Sequence, residues 1–65
     1  MKLYEIPKHS KIFVECSDGS NYLLFDHIDG AYSYCITEMG SIVHLAAWTE
    51  LEAVDGGYKL IEVNE

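Results

Sequence analysis

Cysteine and histidine are the residue types in this sequence that could do nucleophilic or metal chemistry. Five of them occur: His9, Cys16, His27, Cys35 and His44. A zinc site is usually pre-assembled by close spacing such as Cys-x-x-Cys, and no pair here has such spacing. A nucleophilic thiol needs an adjacent base, which leaves Cys35 with His27 or His44 as the candidate pair. His27 and Cys35 flank a turn without facing each other in the register expected below, so we predict no catalytic residue, no metal and no cofactor.

The two cysteines could in principle form one disulfide. A secreted domain of this size usually carries roughly four to eight cysteines, however. Cys16 and Cys35 also fall on the first and third predicted strands, which are separated by a whole strand at about 4.8 Å per step. That separation is too wide for a bridge. We therefore expect reduced thiols and a cytoplasmic protein.

The aromatic residues are the stronger candidates for a binding site. Tyr32 and Tyr34 share one face of a predicted strand, and Trp48 can join them from a later strand. Exposed aromatic rings among acidic residues would suit a proline-rich or basic peptide, through stacking, hydroxyl hydrogen bonds and cation–π contact. The other interpretation is that these rings fill the core, since one face of each strand must be buried. The predicted binding residues are Tyr32, Tyr34 and Trp48.

Charge narrows the class of partner. The 65 residues include eleven acidic and four basic side chains, for a net charge of −7, and no arginine. Three of the four lysines lie within the first eleven residues, so the rest of the chain should repel nucleic acid and anionic membranes. We find neither an apolar run of about 18 residues nor the apolar stretch of a signal peptide. Nucleic-acid binding and membrane association are therefore not expected.

Alternation of apolar residues with period two, broken by glycine-containing turns, dominates the chain and indicates short strands. The predicted strands cover 11–16, 21–28, 31–38, 41–48, 49–54 and 58–63, and 3–6 can add an edge strand. The segment 49–54 could instead be a helical turn capped by Thr49, and we favour the strand. Asn64 and Glu65 are expected to fray.

The Asp29-Gly30 pair between two alternating runs predicts a type I′ hairpin turn. In that register Tyr32 lies opposite His27, and Tyr34 lies opposite Phe25. The alternation also assigns faces. It places Leu23 and Phe25 opposite Tyr22, Leu24 and Ile28 in 21–28, and Tyr32, Tyr34 and Ile36 opposite Ser33, Cys35 and Thr37 in 31–38.

Short loops leave no room for crossover helices, so an antiparallel sheet is expected, and apolar residues on both faces favour its closure into a barrel. The sequence predicts one all-β domain over 1–65, a small five- or six-stranded antiparallel barrel. The phrase Ile6-Pro7-Lys8-His9-Ser10-Lys11-Ile12 and four glycine-marked turns resemble the small SH3-like barrels of bacterial and phage proteins. That resemblance implies an SH3-like meander.

A chain this short has little room for an enzymatic cleft. Our leading hypothesis is a non-enzymatic protein-interaction module that docks through an aromatic and acidic surface, or associates with itself. The alternative is an acidic, phage-type inhibitor that mimics nucleic acid on a basic enzyme.

Overall fold

Short strands form the framework of the protein, as the period-two pattern predicts. The computed structural model describes residues 1–61. In chain order it contains a 3-10 helix at Leu3–Glu5 and strands β1 (Lys11–Phe13), β2 (Tyr22–Asp29), β3 (Tyr32–Thr37), β4 (Ile42–Val43), β5 (Leu51–Val54) and β6 (Gly57–Leu60). They build one sheet in the order β4-β3-β2-β1-β6-β5. The all-β prediction is confirmed, and β2 lies in the middle of the sheet.

The sheet is mixed, and it is not closed into a barrel. β1 and β6 run parallel, with Ile12 opposite Tyr58, whereas the other neighbouring strands are antiparallel. The prediction of an entirely antiparallel sheet is therefore wrong, and the predicted barrel is not confirmed. The prediction considered strands that follow each other in the chain, but here four strands separate the two parallel partners.

Gly57 permits the close approach of β6 to β1. A Cβ at this position would lie 3.2 Å from the carbonyl carbon of Lys11 and closer still to its oxygen. The φ angle of Gly57 is not in the left-handed region. Glycine is therefore needed here for space rather than for backbone conformation.

The core lies on one face of the sheet, which we call the inner face. Its buried apolar side chains come from the 3-10 helix and its flank and from four strands: Leu3, Ile6, Ile12, Leu23, Phe25, Cys35 and Leu51. Val14, Ile28, Val43, Leu45, Tyr58 and Leu60 pack against them while partly exposed. The opposite surface of the sheet is the outer face.

The N-terminal segment differs from its prediction, because 3–6 begins a 3-10 helix instead of an edge strand. Leu3 and Ile6 are both buried. In a strand, residues three apart point to opposite faces, whereas side chains at i and i+3 of a 3-10 helix lie on the same side. The Glu5 carboxylate accepts a hydrogen bond from the Lys2 backbone N–H at 2.6 Å, and the Lys2 ammonium pairs with Glu50.

The other predicted strands agree with the structure in place and differ in length. The segment 49–54 contains β5, which confirms the strand interpretation. The predicted strand 41–48 pairs regularly with β3 over Ile42–Val43 and then at one isolated bridge, Tyr32 with Ala46. The predicted strand 11–16 keeps its regular ladder over Lys11–Phe13. The end of the predicted strand at 62–63 and the fraying of Asn64 and Glu65 lie outside the described residues.

Asp18 ties the first hairpin loop to β3. Its carboxylate accepts hydrogen bonds from the Ser20 backbone N–H and the Thr37 hydroxyl, both at 2.9 Å, and the Thr37 hydroxyl in turn accepts one from the Ser41 N–H at 3.0 Å. The Ser20 side chain lies near this carboxylate without completing a hydrogen bond. The Ser20 side chain, its N–H and the Thr37 hydroxyl lower the pKa of Asp18.

Two neighbouring leucines of β2 lie on opposite faces, so replacing each of them should destabilise the protein to a different extent. Leu23 is 1% exposed and Leu24 is 38% exposed. We expect Leu23→Ala to lower the free energy of unfolding by about 2 to 5 kcal/mol, because it leaves a cavity in the core. Leu24→Ala should cost less than about 1 kcal/mol. Urea unfolding of both variants checks this, and equal losses would contradict the assignment of faces.

Candidate docking surface

The tyrosines of β3 lie on the outer face. Ser33, Cys35 and Thr37 are buried, whereas Tyr32 and Ile36 are exposed. The predicted alternation of this strand is therefore confirmed. The sequence allowed the tyrosines either to fill the core or to lie on the surface, and in the structure they lie on the surface of the sheet.

The hairpin that carries these tyrosines turns one residue later than predicted. Asp29 lies opposite Tyr32, so Gly30 and Ala31 are the two turn residues. Gly30 has a φ of +67°, and Ala31 does not have a positive φ. A type I′ turn needs positive φ at both central residues, while a type II′ turn needs it at the first alone. The predicted pairing of Tyr32 with His27 is wrong for this reason.

A β-bulge at Asp26 changes which residues of β2 face outwards. Phe25 lies opposite Cys35, and His27 lies opposite Tyr34. Between these two pairs β2 therefore has one residue, whereas β3 has none. Asp26 is the extra residue. The predicted pairing of Phe25 with Tyr34 is wrong as well, because the later turn alone would place Phe25 opposite Ile36 and the bulge returns it by one residue, to Cys35.

The bulge sorts the side chains of β2 onto both faces. Before it, Phe25 points inwards and Leu24 outwards; after it, Ile28 packs against the core, while His27 and Asp29 are on the side of Tyr34 and Tyr32. The predicted grouping of Leu24 with Ile28 is wrong, because a regular alternation would have left Ile28 outside.

An aliphatic row crosses three strands of the outer face. Leu24 on β2 lies directly opposite Ile36 on β3, which lies directly opposite Ile42 on β4. All three side chains are exposed. Directly opposed side chains in a sheet are in contact range, so the row is one continuous apolar surface.

An aromatic group continues this row towards the hairpin end. The Tyr34 ring stacks on His27 with ring centroids 4.7 Å apart and meets His44 edge-on at 4.5 Å. The Tyr32 and Trp48 rings are tilted, with centroids 6.4 Å apart. The three predicted binding residues thus share this surface. His27 and His44 also lie on this surface and were not among the predicted binding residues. His44 and Trp48 are four residues apart in 41–48, so a strand would place them on one face.

We call this surface the outer patch. It consists of Leu24, His27, Tyr32, Tyr34, Ile36, Ile42, His44 and Trp48. Two acidic residues border it, Asp26 and Asp29. The Asp26 carboxylate hydrogen-bonds His27 Nδ1 at 2.5 Å, and this bond, with the charges of His27, His9 and Lys8, lowers the pKa of Asp26.

A shallow depression of about 410 Å³ lies within the outer patch. It is lined by Asp29, Tyr32, Tyr34 and His44. Two further concavities lie elsewhere, and their linings include Val14, Glu15 and Leu60. Neither of them contains a predicted binding residue, whereas the depression is lined by Tyr32 and Tyr34.

The candidate nucleophile and base are not brought together. Cys35 is buried on the inner face, and its Sγ lies 3.4 Å from the Ser33 Oγ. His44 is on the outer face against Tyr34. Burial raises the pKa of the Cys35 thiol and that of the Cys16 thiol. A raised pKa disfavours the reactive thiolate. Among residues 1–61, no three His, Cys, Asp or Glu side chains form a group that could hold a metal ion.

The bond between Asp26 and His27 predicts a pH-dependent contribution to stability. Because the pKa of Asp26 in the folded state lies below its ordinary value of about 3.9, this contribution is present above that value and is lost as the pH falls through the folded-state pKa. We expect Asp26→Asn to be less stable than the wild type at pH 6 and the difference to shrink towards pH 2. Urea unfolding across this range measures it, with Glu52→Gln as the control. A difference independent of pH would contradict it.

Comparisons with known proteins do not extend these observations. The chain matches no protein-family model, and no curated protein or solved structure is significantly similar to it. Any inference about function therefore starts from the chemistry of the outer patch. No helix among residues 1–61 is both long enough and apolar enough to cross a bilayer.

Proposed function

We propose that the protein is a non-enzymatic interaction module that docks on another protein through the outer patch. The observation that carries this proposal is the continuity of the patch. Single exposed apolar residues are normal on a protein surface, but contiguous ones mark interaction sites. Here the row of Leu24, Ile36 and Ile42 shares one sheet face with the rings of Tyr32 and Trp48.

The composition of the patch supports docking. Tyrosine and tryptophan are enriched among the residues that dominate binding energy in interfaces. The Tyr34 ring is already held between two imidazoles, so ordering it costs little entropy on binding. Since copies of a chain with a net charge of −7 repel each other, we favour a different protein as partner over self-association. The unpaired thiols of Cys16 and Cys35 suit a cytoplasmic setting for this complex.

Mimicry of nucleic acid is the alternative, and the carboxylates favour it less. Several of them form contacts within the fold. The carboxylates of Glu5, Asp18 and Glu38 accept hydrogen bonds from the Lys2 N–H, the Thr37 hydroxyl and the Asn21 N–H, respectively. Asp26 bonds His27, and Glu50 pairs with Lys2. Carboxylates engaged in contacts within the fold are less available to a basic enzyme surface. Salt dependence separates the two functions, because a charge-driven mimic loses affinity as ionic strength rises.

The test compares three equally exposed aromatic residues. Tyr32, Trp48 and Tyr4 are 55%, 57% and 58% exposed, and Tyr4 lies in the 3-10 helix outside the outer patch. Immobilised wild type and each alanine variant would be exposed to lysate of the source organism and washed at low and high salt. We expect a partner that survives high salt on the wild type and Tyr4→Ala. Tyr32→Ala and Trp48→Ala should each weaken its binding by about 2 kcal/mol, or roughly thirtyfold.

Two results would contradict docking through the outer patch. One is a partner that Tyr32→Ala and Trp48→Ala retain as well as the wild type does. The other is the loss of every partner at high salt, which would support the acidic mimic. Circular dichroism of each variant confirms that it has folded, so that lost binding can be assigned to the surface.

A further inference from the structure

The depression in the outer patch combines one carboxylate with aromatic rings. Asp29 is exposed and lies directly opposite Tyr32, at the last pair before the hairpin turn. Tyr34 and His44 complete the lining. Among residues 1–61, the Asp29 carboxylate accepts no hydrogen bond and forms no ion pair. It is thus available to a group from outside the chain.

The protein already uses this kind of contact elsewhere on the outer face. The ammonium of Lys11 lies 4.5 Å from the centre of the Tyr22 ring. Lys11 is opposite Leu24 in the ladder, so this pair occupies the other end of the same surface. A cation at the face of an aromatic ring is attracted by the ring quadrupole. The Tyr32 ring offers the same attraction, and among residues 1–61 no lysine lies over it.

The four lysines of the chain lie away from the depression. Lys2 pairs with Glu50, Lys11 lies over Tyr22, and Lys59 is opposite Glu52 in the sheet. Lys8 lies near Asp26, where its charge lowers the carboxyl pKa. The net charge of −7 attracts a basic partner over a longer range. The complement of the depression is therefore a cation supplied by another molecule.

We infer that the depression binds an arginine side chain of the docking partner, an inference that rests on the proposed function. A guanidinium is planar, so it can stack on the Tyr32 ring while its edge donates hydrogen bonds to the Asp29 carboxylate. An ammonium can satisfy the carboxylate but lacks a flat face to stack. The sequence contains no arginine, so a second copy of the chain cannot supply this group.

The test uses three short peptides that differ at one residue type. Each is a Gly-Ser peptide with two arginines, two lysines or two citrullines, and citrulline keeps the planar shape of arginine without its charge. Titration into 15N-labelled protein should shift the amide resonances of 29–34. We expect the arginine peptide to bind about tenfold more tightly than the citrulline peptide, because both the ion pair and the cation–π contact are lost with the charge. The lysine peptide should fall between them.

A matched pair of variants assigns the effect to the depression. Asp29→Asn should weaken the arginine peptide about two- to fivefold and reduce the dependence of its binding on salt. Glu52→Gln removes the same charge from β5 and should leave binding unchanged. The spectra of the free variants show whether each retains the fold.

Three outcomes would overturn the inference: equal binding of the arginine and citrulline peptides, lysine binding as tight as arginine binding, or an Asp29→Asn variant that binds like the wild type. The proposed function fails separately. If the peptides do not bind while Tyr32→Ala still loses the captured partner, docking stands without an arginine. If Tyr32→Ala and Trp48→Ala keep the partner, docking through the outer patch itself is wrong.

Discussion

The extra residue in β2 is the constraint on which the rest of the structure depends. A regular strand sends alternate residues to opposite faces, so Phe25 and Ile28, three apart, could not both point inwards without a bulge. Asp26 supplies the additional residue. The neighbouring segment supports this geometry, because the Phe25 carbonyl accepts a hydrogen bond from the His9 N–H at 2.6 Å and its N–H donates to Ser10 at 2.9 Å. The core gains Ile28, and the outer face gains His27 and Asp29.

The same residue connects the fold to the surface chemistry. The Asp26 carboxylate hydrogen-bonds His27, and His27 stacks on Tyr34. Tyr34 also contacts His44, which directly follows β4. Asp29 then lies beside Tyr32 with its carboxylate unengaged among residues 1–61. A single backbone irregularity therefore gives a small protein a filled inner face and an outer face with a mixed aromatic and acidic character. In a chain that has room for one core, function is most readily placed on the outside of the sheet.

Local pattern predicted more of this fold than of its long-range arrangement. The alternation of 31–38 correctly separated Tyr32 and Tyr34 from Cys35, because a strand has a fixed period. The bulge at Asp26 was not predictable, since it reflects which side chains the completed core can bury. The parallel contact of β6 with β1 joins segments far apart in the chain. The candidate site was identified by residue type, but the places of His27 and Asp29 in it depended on the register.

Cross-strand NOEs in a 13C,15N-labelled sample would test the central claim most directly. The bulged register requires contacts between the backbones of Leu24 and Ile36 and between those of His27 and Tyr34. We expect both sets in one spectrum, because the two registers coexist on either side of Asp26. Contacts of Phe25 with Ile36 beside those of His27 with Tyr34 would instead show an unbulged strand, and they would contradict the composition of the outer patch.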